Sequence, residues 1–165
     1  MRISLILCIA TLFAAPAVAQ ETPKALVDYA GFERLTGEVF GYRQNRMVNL
    51  QDFRARAAKP DTMILDTRSA AAFAAGHIEG AVNLPFSEFT EDSLRAVIGE
   101  ANDREILIYC NNNFTDNIAP VRSKRARLAL NIPTFINLYG YGYRNIYELE
   151  GAYQMKDPSI SWISQ

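Results

Sequence analysis

The sequence has 165 residues, 49% of them hydrophobic and 21% charged, with a formal net charge of -1. That length suits one domain with a real core, and the composition excludes a disordered chain. Near-neutral charge without a long basic run gives no electrostatic footprint for nucleic acid, and the short pieces RQNR and RSKRAR read as solvated surface.

The chain opens with Arg2, the apolar run ISLILCIATLFAA and the small-x-small triplet Ala17-Val18-Ala19. A positive n-region, a short h-region and such a cleavage site make residues 1–19 a secretory signal peptide, cut after Ala19. The apolar run is too short to span a bilayer, and no second one follows. The mature protein is therefore expected to be periplasmic or secreted, without membrane contact. Cleavage removes Cys8 and leaves Cys110 alone in a compartment where disulfides form. Such a thiol is either buried and inert or used.

Residues 20–45 read as a helical extension, with Tyr29, Phe32, Leu35 and Val39 at i+3 and i+4 spacing. Gly31 and Gly37 weaken its propensity. The body of the domain is expected over residues 46–160. Met47-Val48 reads as a short edge strand, and Asn49 caps a helix whose apolar face holds Leu50, Phe53 and Ala57. After the turn KPDT, the run MILD is a strand ending on a carboxylate. Ser69 starts an alanine-rich helix that stops at Gly76, and GAVNLP is a second strand closed by Pro85. Thr90 caps a further helix that buries Leu94, Val97 and Ile98. EILIY is the third clear strand, and RNIYELEGA supplies the fourth, ended by Gly151. The aromatic stretch NLYGYGYRNIY reads as core packing around a glycine-rich bend.

Strands written as continuous apolar runs and alternating with helices predict an α/β fold, a small parallel sheet flanked by helices on both faces. In such sheets ligands sit at the carboxyl ends of strands, which is where Cys110 falls.

Three segments together carry a family resemblance. ILDTRSAAAFAAGHIEGAVNLP resembles the N-terminal signature of the rhodanese family, with Asp66-x-Arg68, the alanine helix, and Gly76-His77-Ile78-x-Gly80-Ala81-x-Asn83-x-Pro85. ILIYC resembles the strand that delivers that family's catalytic cysteine, and YRNIYELEGA resembles its closing strand. The resemblance implies a rhodanese-like domain and a sulfurtransferase that carries sulfane sulfur as a persulfide on Cys110. It implies a small sulfur-containing donor, a thiol or other nucleophilic acceptor, and no cofactor or metal. The rival reading is a non-catalytic binding module that uses the loop after Cys110 for recognition. A thiol redox protein has no C-x-x-C motif to support it.

A thiol with a free pKa of about 8.5 needs surroundings that favour its anion. The predicted substrate-binding loop is Asn111, Asn112, Asn113, Phe114 and Thr115. Asparagine tolerates left-handed backbone, so the triplet is expected to turn N–H groups toward the sulfur and to lower the thiol pKa. Asn113-Phe114-Thr115 also matches a glycosylation sequon, which is discounted because sugar there blocks the site. Asp66 and His77 are read as structural. Arg68 either pairs with Asp66 or lines the mouth of the site, and Arg122, or else Arg125, is expected to fold back onto it.

The loop departs from the family pattern, because no basic residue stands between Cys110 and Arg122. Asp116 holds the position where the phosphatase relatives of the fold need an arginine, which excludes that chemistry. The stretch from Cys110 to Gly142 exceeds a tight loop plus one helix of roughly a dozen to sixteen residues. An insertion is expected, broken by Pro120 and Pro133, with Asp116 opposing anionic donors such as thiosulfate.

Overall fold

The protein is described here by a computed structural model covering residues 24–164. The expected signal peptide, with its cleavage after Ala19, lies outside the described residues. Among the described residues no helix is long and apolar enough to cross a membrane.

Helix α1 (Tyr29–Arg43) precedes strand β1 (Met47–Val48) and helix α2 (Leu50–Ala57). Strand β2 (Met63–Asp66), helix α3 (Ala70–Ala75), strand β3 (His77–Ile78) and strand β4 (Ala81–Asn83) follow. Helix α4 (Glu91–Ile98) leads to strand β5 (Ile106–Tyr109), then helix α5 (Asn131–Gly140), strand β6 (Ile146–Leu149) and strand β7 (Trp162–Ile163). Five strands form one parallel sheet in the order β1-β6-β5-β2-β4, while β3 and β7 pair as a small antiparallel ribbon.

The local chemistry explains the element starts. Asn49, Ser69 and Thr90 each accept the backbone N–H three residues on, at Asp52, Ala72 and Ser93, which satisfies an orphan helix donor. All four residues of β2 and of β5 are buried, as a strand covered on both faces requires.

Alternation along the strands sorts two cores. Met63, Leu65, Ile106, Ile108 and Ile146 point to one face and pack under α1, α4 and α5 through Val39, Leu94, Ile98, Phe135 and Leu138. Ile64, Leu107, Tyr109 and Leu149 point to the other, where Phe53 of α2, Ile78 of β3, Phe114 and Val121 cover them. Phe53 is fully buried, so its truncation to alanine should cost about 3–5 kcal/mol. The sheet is thus covered on both faces, by helices on one and by α2, the β3–β7 ribbon and part of the post-Cys110 segment on the other.

Candidate functional site

Cys110 directly follows β5. Ile106 and Ile108 face the α1–α5 side, so the two-residue period sends Cys110 to that side as well. Ile108 lies opposite Glu148 in the β5–β6 register, which places Glu148 there too. The helices above this corner present Arg43 from the last turn of α1 and Asn131 from the first turn of α5. Residues far apart in sequence therefore converge at the carboxyl ends of β5 and β6, beside a cleft of ≈ 260 Å³. Cys110, Asn112, Asn131, Arg43, Glu148 and Glu150 all line it. A larger hollow of ≈ 570 Å³ lies at the amino ends of β2 and β5, near Lys59 and Glu105, and no cysteine lines it.

Cys110 is 1% exposed. Burial pushes its thiol pKa up, and the negative charge of Glu148 adds to the rise. The nearby backbone N–H groups of Asn131, Asn112 and Leu130 favour the thiolate and oppose the rise. The net direction is upward, so the expected lowering of the thiol pKa is corrected: the donors are present, but desolvation outweighs them. The expected donor cradle is also discontinuous. One N–H comes from the turn after Cys110, and two come from the start of α5, with an inserted segment between them.

Sequence reasoning missed the charged network beside the thiol. Arg43 Nε donates to Glu148 Oε2 at 2.5 Å, and this hydrogen bond raises the Arg43 pKa. Asn131 Nδ2 donates to Glu148 Oε1 at 3.1 Å and to Asn113 Oδ1 at 3.2 Å. The available signal was a glutamate inside the apolar strand IYEL, since a buried carboxylate demands partners.

The asparagine triplet behaves differently from the expectation. Asn111–Asn113 forms one turn of 3₁₀ helix, and none of the three has positive φ. Their side chains fasten the loop instead. Asn113 Oδ1 accepts the Cys110 N–H at 2.9 Å, and its Nδ2 donates to the carbonyls of Leu149 and Gly151. Asn111 Nδ2 donates to the Arg122 carbonyl, and the Asn112 amide exchanges two hydrogen bonds with the Lys124 backbone. The inserted segment thus holds the NH2 groups of Asn111 and Asn112, and the end of β6 holds that of Asn113.

Other predicted contacts fall elsewhere. Phe114 is buried in the second core, edge-on to Trp162 at 4.9 Å between ring centroids. An apolar ring with that cover packs rather than binds substrate, which corrects its assignment. The Thr115 N–H donates to the Tyr153 carbonyl at 2.8 Å, tying it to the far side of the loop. Arg122 is exposed and lies outside the cleft lining. Asp116 Oδ2 accepts the Met155 N–H at 2.9 Å and is likewise outside the lining, so the charge opposing an anion there is not Asp116. Pro133 does not break the segment, because it sits in the first turn of α5, where a missing N–H is tolerated.

Arg68 belongs to a sealed network. It is 2% exposed, its Nε meets both Asp66 oxygens at 3.0 Å, and its Nη2 donates to Asp66 Oδ2 and to the Gly76 carbonyl. The Tyr109 hydroxyl donates to Asp66 Oδ2 at 2.5 Å and accepts the Ile78 N–H. Burial works against the Arg68 charge, but the hydrogen bonds and negative charge of Asp66, with help from Tyr109, together outweigh it and raise its pKa. The guanidinium is therefore committed to tying strand end, β3 and β5 together rather than to substrate. His77 Nδ1 donates to the Phe73 carbonyl at 2.9 Å, and its ring stacks on Phe73 at 3.8 Å.

Comparison with known proteins completes the description of the site. Residues 49–155 match the family described as the Rhodanese-like domain. A curated tRNA uridine(34) hydroxylase of Pectobacterium carotovorum is 29% identical over 100 residues, 59% of this chain. The chain spans about a quarter of that relative, 24% of its length. A protein from Bacillus halodurans of known structure superposes with a TM-score of 0.49 at 16% identity, covering 73% of this chain and 77% of the other. The rhodanese-like domain of an Anabaena protein gives 0.46 at 20% identity, covering 65% and 69%.

Proposed function

The chain belongs to the rhodanese-like domain family, and from that premise we propose that it is an exported sulfurtransferase carrying sulfane sulfur as a persulfide on Cys110. The observation that supports this reading is the position of Cys110, directly after β5 and in the lining of a cleft, with the backbone N–H groups of Asn131, Asn112 and Leu130 nearby. Backbone N–H groups near that point favour an anion there, first the thiolate and then the outer sulfur of a persulfide, and partly offset the cost of burial.

The proposed chemistry needs no outside oxidant. The Cys110 thiol loses its proton to solvent, and the thiolate attacks the outer sulfur of a persulfide or polysulfide donor. A new S–S bond forms on Cys110 as the donor's S–S bond breaks, and the donor leaves as a thiolate. A nucleophilic acceptor then attacks the outer sulfur, takes it, and returns Cys110 as thiolate. Because the surroundings raise the Cys110 pKa, only a small fraction is anionic at neutral pH, and turnover should be slow there.

Export rests on the N-terminal sequence alone: the mature chain should begin at or near Gln20, which N-terminal sequencing of the secreted protein checks. A second reading, a non-catalytic module using the segment after Cys110 for recognition, draws support from the burial of Cys110. A transfer assay separates the two. Sulfur passed from polysulfide to a small thiol, and lost in Cys110→Ser, supports the enzyme; transfer no faster than in that variant supports the module.

A further inference from the structure

Three charged side chains line the Cys110 cleft: Arg43 from α1, Glu148 from β6, and Glu150 just beyond it. Arg43 is its one basic residue, and it is paired to Glu148. The basic residues of the inserted segment, Arg122, Lys124, Arg125 and Arg127, are exposed and outside the lining. Glu148 is held on its other oxygen by Asn131, which lines the same cleft as Cys110. The carboxylate therefore cannot swing away from the sulfur without breaking two polar contacts. Arg43 lies before residue 49, where the family match begins, so this cation comes from outside the matched segment.

We propose that the Arg43–Glu148 pair is a charge filter on the Cys110 cleft, a specificity-determining element that disfavours multiply charged anions and admits neutral or singly charged sulfur donors. The proposal deepens the persulfide reading of Cys110 and rests on it for its biological meaning. With one arginine against two glutamates the lining is net negative, and a dianion such as thiosulfate meets an excess of like charge on entering the cleft, past the exposed Glu150. Arg43 keeps that excess from being larger, and Glu148 keeps Arg43 from acting as a free anion site.

The direct test compares alkylation of Cys110 by iodoacetamide and by iodoacetate, which share a mechanism and differ by one negative charge. Taking the ratio of the two rates on one sample cancels changes in thiolate fraction, access and folded fraction. Wild type should favour the neutral reagent. Glu148→Gln keeps the shape and one of the two acceptor oxygens, and should shift the ratio toward iodoacetate about fivefold, the order expected for one unit charge near the sulfur in a partly solvated cleft. Arg43→Ala should shift it the opposite way, and the double variant should return close to wild type. Ratios unchanged within about twofold in both single variants would overturn the filter. In sulfur uptake, Glu148→Gln should raise use of thiosulfate relative to polysulfide. If Cys110 takes sulfur from no donor, the persulfide reading fails, while the alkylation ratios still decide the filter.

Discussion

Asn113 accepts the backbone N–H of Cys110 through its side-chain oxygen at 2.9 Å, so a residue three positions on fixes how the nucleophile leaves its strand. The same amide reaches the carbonyls of Leu149 and Gly151 and accepts from Asn131, linking β5, β6 and α5 at one point. Asn113→Ala strands several buried polar groups at once. We expect a loss of about 2–4 kcal/mol in urea unfolding, with Asn113→Asp recovering only the acceptor half of the network.

The pH dependence follows from the raised thiol pKa. Alkylation of Cys110 should climb with pH through neutrality and show no plateau below the ordinary thiol range of about 8.5. The sign for stability is fixed by linkage. In the unfolded chain the thiol ionises at the ordinary value, while in the folded chain it holds its proton longer. Stability from this group is therefore complete below the unfolded pKa, declines as pH rises above it, and levels off beyond the folded pKa. Urea unfolding from neutral to alkaline pH should show this decline in wild type and less of it in Cys110→Ala. A flat rate profile from pH about 6 to 8 would contradict the raised pKa.

Arg68→Ala leaves the Asp66 carboxylate buried without its cation. Breaking a buried pair from one side costs about 3–5 kcal/mol, so this variant should be among the most destabilised on the strand-end network. Its remaining folded fraction should take sulfur on Cys110 as wild type does, read by intact mass of the folded fraction. A full loss of uptake with unchanged stability would return Arg68 to the substrate site.

The five strands of the parallel sheet, the helix starts at Asn49, Ser69 and Thr90, and the strand-end position of Cys110 could be read from local patterns, because period-two burial and side-chain capping are local effects, whereas the β3–β7 ribbon was not foreseen. The Arg43–Glu148 contact could not, since it joins α1 to β6 across most of the chain and depends on the β5–β6 register. The asparagines misled for a related reason. Their composition advertises left-handed turns, but Asn111 and Asn112 are spent on carbonyls of a segment whose return path is a tertiary matter. The thiol pKa was misjudged because burial at 1% exposure is set by α5 and the inserted segment, not by the residues adjoining Cys110.

Asp116 offers a check on where the acidic charge acts. Its carboxylate is tied to the Met155 N–H, outside the cleft, so Asp116→Asn should leave thiosulfate use unchanged within about twofold. Steady-state rates for thiosulfate and polysulfide in this variant, set beside those of Glu148→Gln, locate the effective charge. A larger gain from Asp116→Asn than from Glu148→Gln would place it in the loop instead.

The central claim is that Cys110 carries a transferable sulfur atom. Intact mass spectrometry of the mature protein after incubation with polysulfide tests it most directly. The wild-type mass should rise by one sulfur atom, which a thiol acceptor removes and which Cys110→Ser does not gain. An unchanged mass in wild type, with Cys110 still open to alkylation by iodoacetamide under the same conditions, would contradict it.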